Sequence, residues 1–363
     1  MTTPPSADRW KKFTIDQGGR TNTAVAFDYD GDGVKEIIYS YNRTIKLSSL
    51  DGKKQRTIHN DFMMHSQLTD LNGDGLPDLV AASQPPTPIF WLQAPKDLWH
   101  GNWNDTLINT EFEGTHAVDI ADVDGDGLVD IIGSSFFGTG KYPDTIAWFK
   151  NPGAKAANKG PWGMNIIADG DAFGGLHYFD HFIYQGKPAL VAGAKGEMYE
   201  NGNYFALWTA DKGLAQPWTK KILMDDQVGA TNAMAADFNG DGKDELVLTN
   251  GHGVGIKLLN GDDLSPQTLD SVLESPHNLA IADIDGDGDL DIAACGYMSK
   301  HVVWYENLGK LAFSKHIIAK GQEAYDIRIT DLDGDGHNDF LVAGRKSNNL
   351  VWYKNPGKVA QKN

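Results

Sequence analysis

A chain of 363 residues with 40% hydrophobic side chains can bury a large core. No stretch approaches the roughly eighteen apolar residues of a spanning helix, so a membrane-crossing helix is excluded. The formal net charge of −17 repels nucleic acid and anionic membranes, and the single Cys295 excludes an intrachain disulfide.

In chain order, Met1-Thr-Thr-Pro-Pro-Ser6 shows neither a basic segment nor an apolar one, so no signal peptide is legible. Trp10-Lys-Lys-Phe-Thr-Ile15 reads as a strand with no companions of its own. Asp28-Tyr-Asp30-Gly-Asp32-Gly-Val-Lys-Glu36 is the first copy of a motif that recurs at Asp70, Asp122, Asp237, Asp283 and Asp331. The copies lie 42 to 52 residues apart, with one gap of about double length after the third, which is the signature of a repeat architecture.

Each repeat has the same grammar. A strand such as His116-Ala-Val-Asp-Ile-Ala121 ends at the Asp loop. A continuous apolar strand follows directly, as in Glu36-Ile-Ile-Tyr-Ser40, Asp130-Ile-Ile-Gly-Ser134 and Asp339-Phe-Leu-Val-Ala-Gly344. The third strand is aromatic, as in Ala147-Trp148-Phe149, Val303-Trp304-Tyr305 and Val351-Trp352-Tyr353. It runs into turns such as Asn151-Pro-Gly153, Asn307-Leu-Gly309 and Asn355-Pro-Gly357. A fourth strand opens on Trp103, Trp162 or Trp218. Four short strands per repeat of this length describe a propeller blade. The long gap holds a copy, His177 to Gly193, that keeps the two strands and lacks the loop residues.

The chain is therefore expected to be all-β, a seven-bladed β-propeller of four-stranded antiparallel blades, six of them with an Asp loop. It is read as a single domain, 1–363, in which residues 10–15 complete the C-terminal blade. Nine of the ten tryptophans fall at third- or fourth-strand positions, where packing between blades is expected to outweigh a sugar-platform role; Trp99 lies outside the pattern.

The loop chemistry follows from its spacing. Oxygen side chains at positions 1, 3, 5 and 9 converge only if the chain turns sharply, which the glycines at positions 4 and 6 allow. Carboxylates so clustered call for a hard cation, and a flexible all-oxygen set suits Ca²⁺ better than Mg²⁺. The expected ligands are Asp28, Asp30, Asp32 and Glu36; Asp70, Asn72, Asp74 and Asp78; Asp122, Asp124, Asp126 and Asp130; Asp237, Asn239, Asp241 and Glu245; Asp283, Asp285, Asp287 and Asp291; and Asp331, Asp333, Asp335 and Asp339. About six structural Ca²⁺ sites would neutralise most of the acidity, so the charge reads as metal ligation and not as a partner surface. The loop is shorter than an EF-hand's and is followed by a strand, not a helix. The start is read either as that of an intracellular protein or as a mature form with an added Met; Ca²⁺ at extracellular-type affinity favours a secreted or periplasmic home.

The run Asp-x-Asp-Gly-Asp-Gly-x-x-Asp, an apolar strand and then Val303-Trp-Tyr-Glu-Asn-Leu-Gly309 resembles the FG-GAP/VCBS repeat family, whose integrin α-subunit members carry similar calcium loops. The resemblance covers essentially the whole chain and implies the propeller fold and calcium at the six matching loops. The propeller domains of aldos-2-ulose dehydratase and of polysaccharide lyases are similar. That likeness implies a carbohydrate-active enzyme as one class, with adhesion modules and lectins as another; fold alone does not assign the activity.

The residues just before each first strand are expected to crowd together at the end of the blades away from the Asp loops: Asn22, His65, His116, His177, Asn232, His277 and Tyr325. The loops joining second to third strands add Tyr41, Arg43, Gln84, Lys141, Tyr142, Lys195, Glu197, Tyr199, His252, Tyr297, Lys300, His301, Arg345 and Lys346. Such a mouth would attract an anionic or carbonyl-bearing carbohydrate. His116, His177 and His277 could hold a central Zn²⁺ or Mn²⁺; equally, the histidines could bond to backbone or substrate without metal. Two functions follow. One is a lyase or dehydratase performing β-elimination on a uronic-acid or keto-sugar. There His65, His116, His177, His277 and Tyr325 would supply base, acid or electrophilic help, and Lys195 and Arg345 the anion contacts. The other is a non-catalytic, calcium-stabilised propeller that binds glycans or proteins. No Ser-His-Asp elbow, Cys-x-x-Cys or phosphate-binding glycine loop competes with these readings.

Overall fold

The computed structural model describes residues 9–83, 87–112, 114–136, 140–196 and 199–357. Among them are 28 strands and no α-helix. β1 is Lys11–Gln17. β2 to β5 are Ala24–Phe27, Glu36–Tyr41, Thr44–Ser48 and Gln55–His59. β6 to β9 are His65–Thr69, Asp78–Ala82, Phe90–Gln93 and Asn104–Leu107; β10 to β13 are Thr115–Ala121, Asp130–Ser135, Ile146–Lys150 and Gly163–Ala168. β14 to β17 are Leu176–Tyr184, Lys187–Ala194, Tyr204–Thr209 and Thr219–Met224; β18 to β21 are Asn232–Ala236, Glu245–Thr249, Val254–Leu259 and Pro266–Glu274. β22 to β25 are Pro276–Ala282, Asp291–Gly296, His301–Asn307 and Phe313–Lys320, and β26 to β28 are Asp326–Thr330, Asp339–Gly344 and Asn349–Lys354.

These strands form seven four-stranded antiparallel blades, the seven-bladed β-propeller that the repeats predict. Six blades are consecutive meanders; the seventh has the order β1-β28-β27-β26, so the N-terminal strand completes it, with Phe13 opposite Trp352. Trp10 stands just before this strand and packs against Phe340 at 4.7 Å between ring centroids. The chain divides into two compact units, residues 1–57 with 236–363 and residues 58–235; the divisions fall within β5 and β18.

Five of the seven second strands are buried along their whole length, as continuous apolar runs should be in the middle of a blade packed on both faces. Nine of the ten tryptophans resolve as core, and Trp99 is half-buried. Trp91, Trp208 and Trp304 are wholly buried, and Trp162 at the head of one fourth strand meets Trp91 of the preceding blade edge-on at 6.5 Å. Burial of this much ring area accounts for their spacing without a ligand. In the fourth blade the Asp loop is replaced by a two-residue hairpin. Tyr184 pairs with Lys187, and Gln185 and Gly186 both take positive φ, 51° and 77°, the conformation that fits a right-twisted hairpin.

Candidate functional site

The loop end of the blades repeats one hydrogen-bond plan. The first aspartate accepts the N–H groups of the two loop glycines, as in Gly73 and Gly75 to Asp70, both 2.7 Å. The glycines need positive φ to present those groups (75° and 87° here), which is why no other residue type stands there. The ninth residue sits buried and brackets two segments. Asp291 accepts Ile284 N–H at 3.0 Å with one oxygen and Asn307 N–H at 2.7 Å with the other. Asp78, Asp130 and Asp339 do the same for their blades. Burial pushes Asp78, Asp291 and Asp339 up to about 7 and Asp130 up to about 6, against the pull of those N–H donors; neighbouring loop carboxylates add to the rise.

The donor set fits a hard divalent cation. Carboxylate oxygens lie within 4.8 Å of one another in four loops: Asp28, Asp30 and Asp32; Asp122, Asp124 and Asp130; Asp283, Asp285 and Asp291; Asp331, Asp333 and Asp339. Asp124 Oδ1 and Asp333 Oδ1 are buried and accept no hydrogen bond among the described residues. All candidate donors in these loops are oxygen, the set that calcium prefers. Asp70, Asn72, Asp74 and Asp78, and Asp237, Asn239, Asp241 and Glu245, form the two loops with an amide at position 3. There the amide oxygen accepts the N–H of position 5 at 2.9 Å.

One set of residues legible in the sequence only as turns is a fastener in the structure. The Asn151, Asn307 and Asn355 side chains reach back to the loop of the preceding blade: Asn307 Nδ2 donates to Phe238 O at 2.8 Å and Asn355 Nδ2 to Ile284 O at 2.8 Å. Their recurrence before Gly after an aromatic strand was the available signal.

At the opposite end of the blades the sequence-predicted histidines occupy β-bulges. Between Thr115 and Val118, between Leu176 and Phe179, and between Pro276 and Asn278, the first strand carries one residue more than its partner. His116, His177 and His277 fall in these three places. A bulge re-aims side chains and is common beside functional sites. His65 and Asn232 are different. His65 pairs with Ala82 in regular register, as Asp326 pairs with Ala343, so it stands one residue past the position of Tyr325. Its Nδ1 accepts Val118 N–H at 3.3 Å, just as Asp326 Oδ2 accepts Ala24 N–H at 3.3 Å. His65 therefore serves the first-strand framework through that nitrogen.

In the unit 58–235, His116 and His177 lie face to face with ring centroids 4.0 Å apart. Phe136 packs on both, at 4.8 and 5.1 Å, and Tyr178 meets His116 edge-on at 5.3 Å. Lys195 Nζ stands 5.8 Å from the Phe136 ring and 5.6 Å from that of Tyr199. Asp180 and His181 are otherwise engaged: Asp180 accepts Ala235 N–H at 2.7 Å, and His181 packs toward Trp218.

In the unit 1–57 with 236–363, His277 stacks on Tyr325 at 3.3 Å, and the Arg345 guanidinium lies 4.2 Å from the Tyr325 ring centroid. Tyr297 meets Tyr325 edge-on at 6.0 Å and His252 meets His277 edge-on at 5.4 Å. His277 Nδ1 is 3.2 Å from Tyr325 O. A carbonyl only accepts, so Nδ1 carries the proton and Nε2 is the basic nitrogen of the neutral ring. Lys300 and Lys346 both pair with Glu323 at 3.3 Å, and Arg345 is half-buried beside them. Gln84 and Glu197 lie outside the described residues. A cavity of about 520 Å³ lies elsewhere in this unit, lined by Phe13, Val34, Leu50, Asp51 and Trp352 among others.

The FG-GAP-like repeat family matches residues 70–133, 237–294 and 283–342, three stretches that each begin at an Asp loop or its first aspartate. The chain is an FG-GAP-repeat propeller. By sequence it matches no curated relative. Solved structures similar to the FG-GAP propeller include an Agrocybe aegerita lectin that recognises non-reducing terminal N-acetylglucosamine, with TM-score 0.56, 16% identity, and coverage of 94% of this chain and 86% of that one. BBS1N in complex with ARL6DN aligns with TM-score 0.64 at 10% identity over 96% of this chain and 97% of that one. YCF48 bound to a D1 peptide aligns with TM-score 0.56 at 11% identity over 97% and 99%. At such identities the likeness shows the fold alone. Among the described residues of the FG-GAP propeller no helix is long and apolar enough to cross a membrane.

Proposed function

We propose that this FG-GAP propeller is a calcium-stabilised binding protein for an acidic saccharide. The observation that carries this reading is the stack of Arg345 on Tyr325 on His277, with Tyr297 at its side. A guanidinium held against an aromatic face is pre-organised to take a carboxylate in bidentate fashion, while an adjacent ring packs on the apolar face of a sugar. The convergence of three carboxylates in each of four loops supports a structural calcium, which would be held by those carboxylates and would supply rigidity, not chemistry. A secreted or periplasmic setting, where calcium is abundant, is consistent with loops of this type.

The test is titration of the intact protein with oligouronates and with neutral oligosaccharides of the same length. Saturable binding of the acidic series, lost in Arg345→Ala, is the expected result. Equal affinity for both series, or binding indifferent to Arg345, overturns the reading.

A second reading rests on one further observation, the tautomer of His277 fixed by Tyr325 O. In a β-elimination His277 Nε2 would take the proton next to the carboxylate or ketone, Arg345 would stabilise the enolate, and a protonated neighbour would assist departure of the β-oxygen. His277 is only 1% exposed, which favours the binding role. Incubation with uronic-acid polymers and keto-sugars separates the two: new ultraviolet absorbance from an unsaturated product, abolished in His277→Ala, would establish the lyase. Zn²⁺ or Mn²⁺ on His277 is an alternative to this step, since Nε2 is the one ring nitrogen left either to bind a metal or to take the proton; elemental analysis of the purified protein tests it.

A further inference from the structure

The six Asp loops share their backbone plan but not the residue that faces position 9 from the third strand. The register pairing Ile131 with Phe149, and Phe340 with Tyr353, sets Lys150 beside Asp130 and Lys354 beside Asp339. The same register sets Ser49, Gln93, Asn260 and Glu306 beside the ninth positions of the other four loops. The Lys150 ammonium bonds to Asp124 Oδ2 and lies 2.7 Å from Asp126 Oδ2. The Lys354 ammonium bonds to Asp333 Oδ2 and lies 2.8 Å from Asp335 Oδ2. Glu306, by contrast, adds a carboxylate beside its loop and pairs with His316 at 2.8 Å.

Each lysine takes one oxygen of the position-3 aspartate and leaves the other, Asp124 Oδ1 or Asp333 Oδ1, buried without a hydrogen bond. Asp124 and Asp333 each also belong to the converging carboxylate triad of their loop. The lysine thus holds positions 3 and 5 in place and puts a positive charge beside the triad, where it opposes a divalent ion.

We propose that Lys150 and Lys354 are resident counter-cations that divide the loops into two classes. The loops of Asp122–Asp130 and Asp331–Asp339 take calcium more weakly than the other four and keep their shape better without it. The inference rests on the calcium reading above. Its functional meaning is graded metal dependence: as calcium falls, the lysine-bearing blades lose their ion first and suffer least.

Calcium titration calorimetry and chelator-dependent thermal unfolding of the full chain test this, comparing the parent, Lys150→Met/Lys354→Met and Lys150→Arg/Lys354→Arg. In the parent, two classes of site are expected. Their affinities should differ on the order of tenfold, the size a unit charge produces beside a divalent ion in a partly solvated loop. In the Met variant the weak class should tighten toward the strong one, and the melting temperature should fall in chelator more than in calcium. The Arg variant keeps the charge and should keep the weak class. A single class of sites in the parent, or a weak class untouched by the Met substitutions, overturns the inference and leaves the calcium reading standing. A folded parent that binds no calcium overturns both. If the Met variant fails to fold even in calcium, tightening of the weak class in the Arg variant overturns the inference, and an unchanged weak class supports it.

Discussion

At one end of the blades, six loops of nine residues repeat the same contacts: the first aspartate on the second glycine N–H, the ninth carboxylate on the second residue and, in five of the six, on the turn after the third strand. At the other end no such plan recurs. His116 and His177 stack on each other, His277 stacks on Tyr325, and His65 bonds to a neighbouring strand. The loop end is governed by backbone groups, which every repeat possesses, so one local sequence solves the problem many times. The opposite end is governed by side chains from separate blades, so its arrangement is decided only once the blades are packed. Divergence is tolerated where contacts are not shared, and that is where a specific binding site can be built.

The sharpest way to break this contrast is Asp291→Ala. It removes the acceptor of two buried N–H groups and should cost about 2–4 kcal/mol in urea denaturation carried out in chelator, where no metal contributes. An unchanged midpoint there would mean that the loop plan is held by metal alone. Asn307→Ala severs the tie to Phe238 O and Leu290 O and should cost about 1–2 kcal/mol in the same assay.

Asp270 lies at neither end and tests the ion pairing of the blade flanks. It accepts from Tyr305 Oη at 2.6 Å and pairs with Lys315 at 2.6 Å. Burial alone would raise its carboxyl, but Lys315, Tyr305 and two backbone N–H groups outweigh burial and hold it below the ordinary value. A depressed folded value means that its contribution is present above about pH 4 and is lost as pH falls through that lower value. Asp270→Asn should therefore lower the melting temperature at neutral pH and flatten its fall below about pH 4; a parallel acid limb would rule the linkage out. The smallest effect on stability is expected from Arg345→Ala, within about 0.5 kcal/mol. A large loss there would mark Arg345 as framework and remove it from the binding site.

Much of the loop end was legible because its signals are local: spacing, glycines at fixed positions, an aromatic strand and a turn. The loss of the loop in the fourth blade was equally visible in Tyr184-Gln-Gly-Lys187. The other end was legible only in composition. His65 stands one residue past the position of His116, His277 and Tyr325, an offset already present in the spacing: it lies five residues before its loop aspartate and they lie six before theirs. The bulges that re-aim His116 and His277 have no such local signal. Lys150 and Lys354 were likewise hidden, since their meaning comes from cross-strand register, not from the residues around them in sequence.

The pairing of Lys11–Gln17 with Asn349–Lys354 has a consequence for how the chain is made. Lys11–Gln17 is synthesised well before its partner and must wait, with Phe13 and its edge groups uncovered, until the intervening blades have been made. The connection between the two strands is among the most non-local in the described structure. Folding of this blade should be slow for that reason. During the wait the unsatisfied edge would be the place where nascent chains meet one another or are shielded by a chaperone.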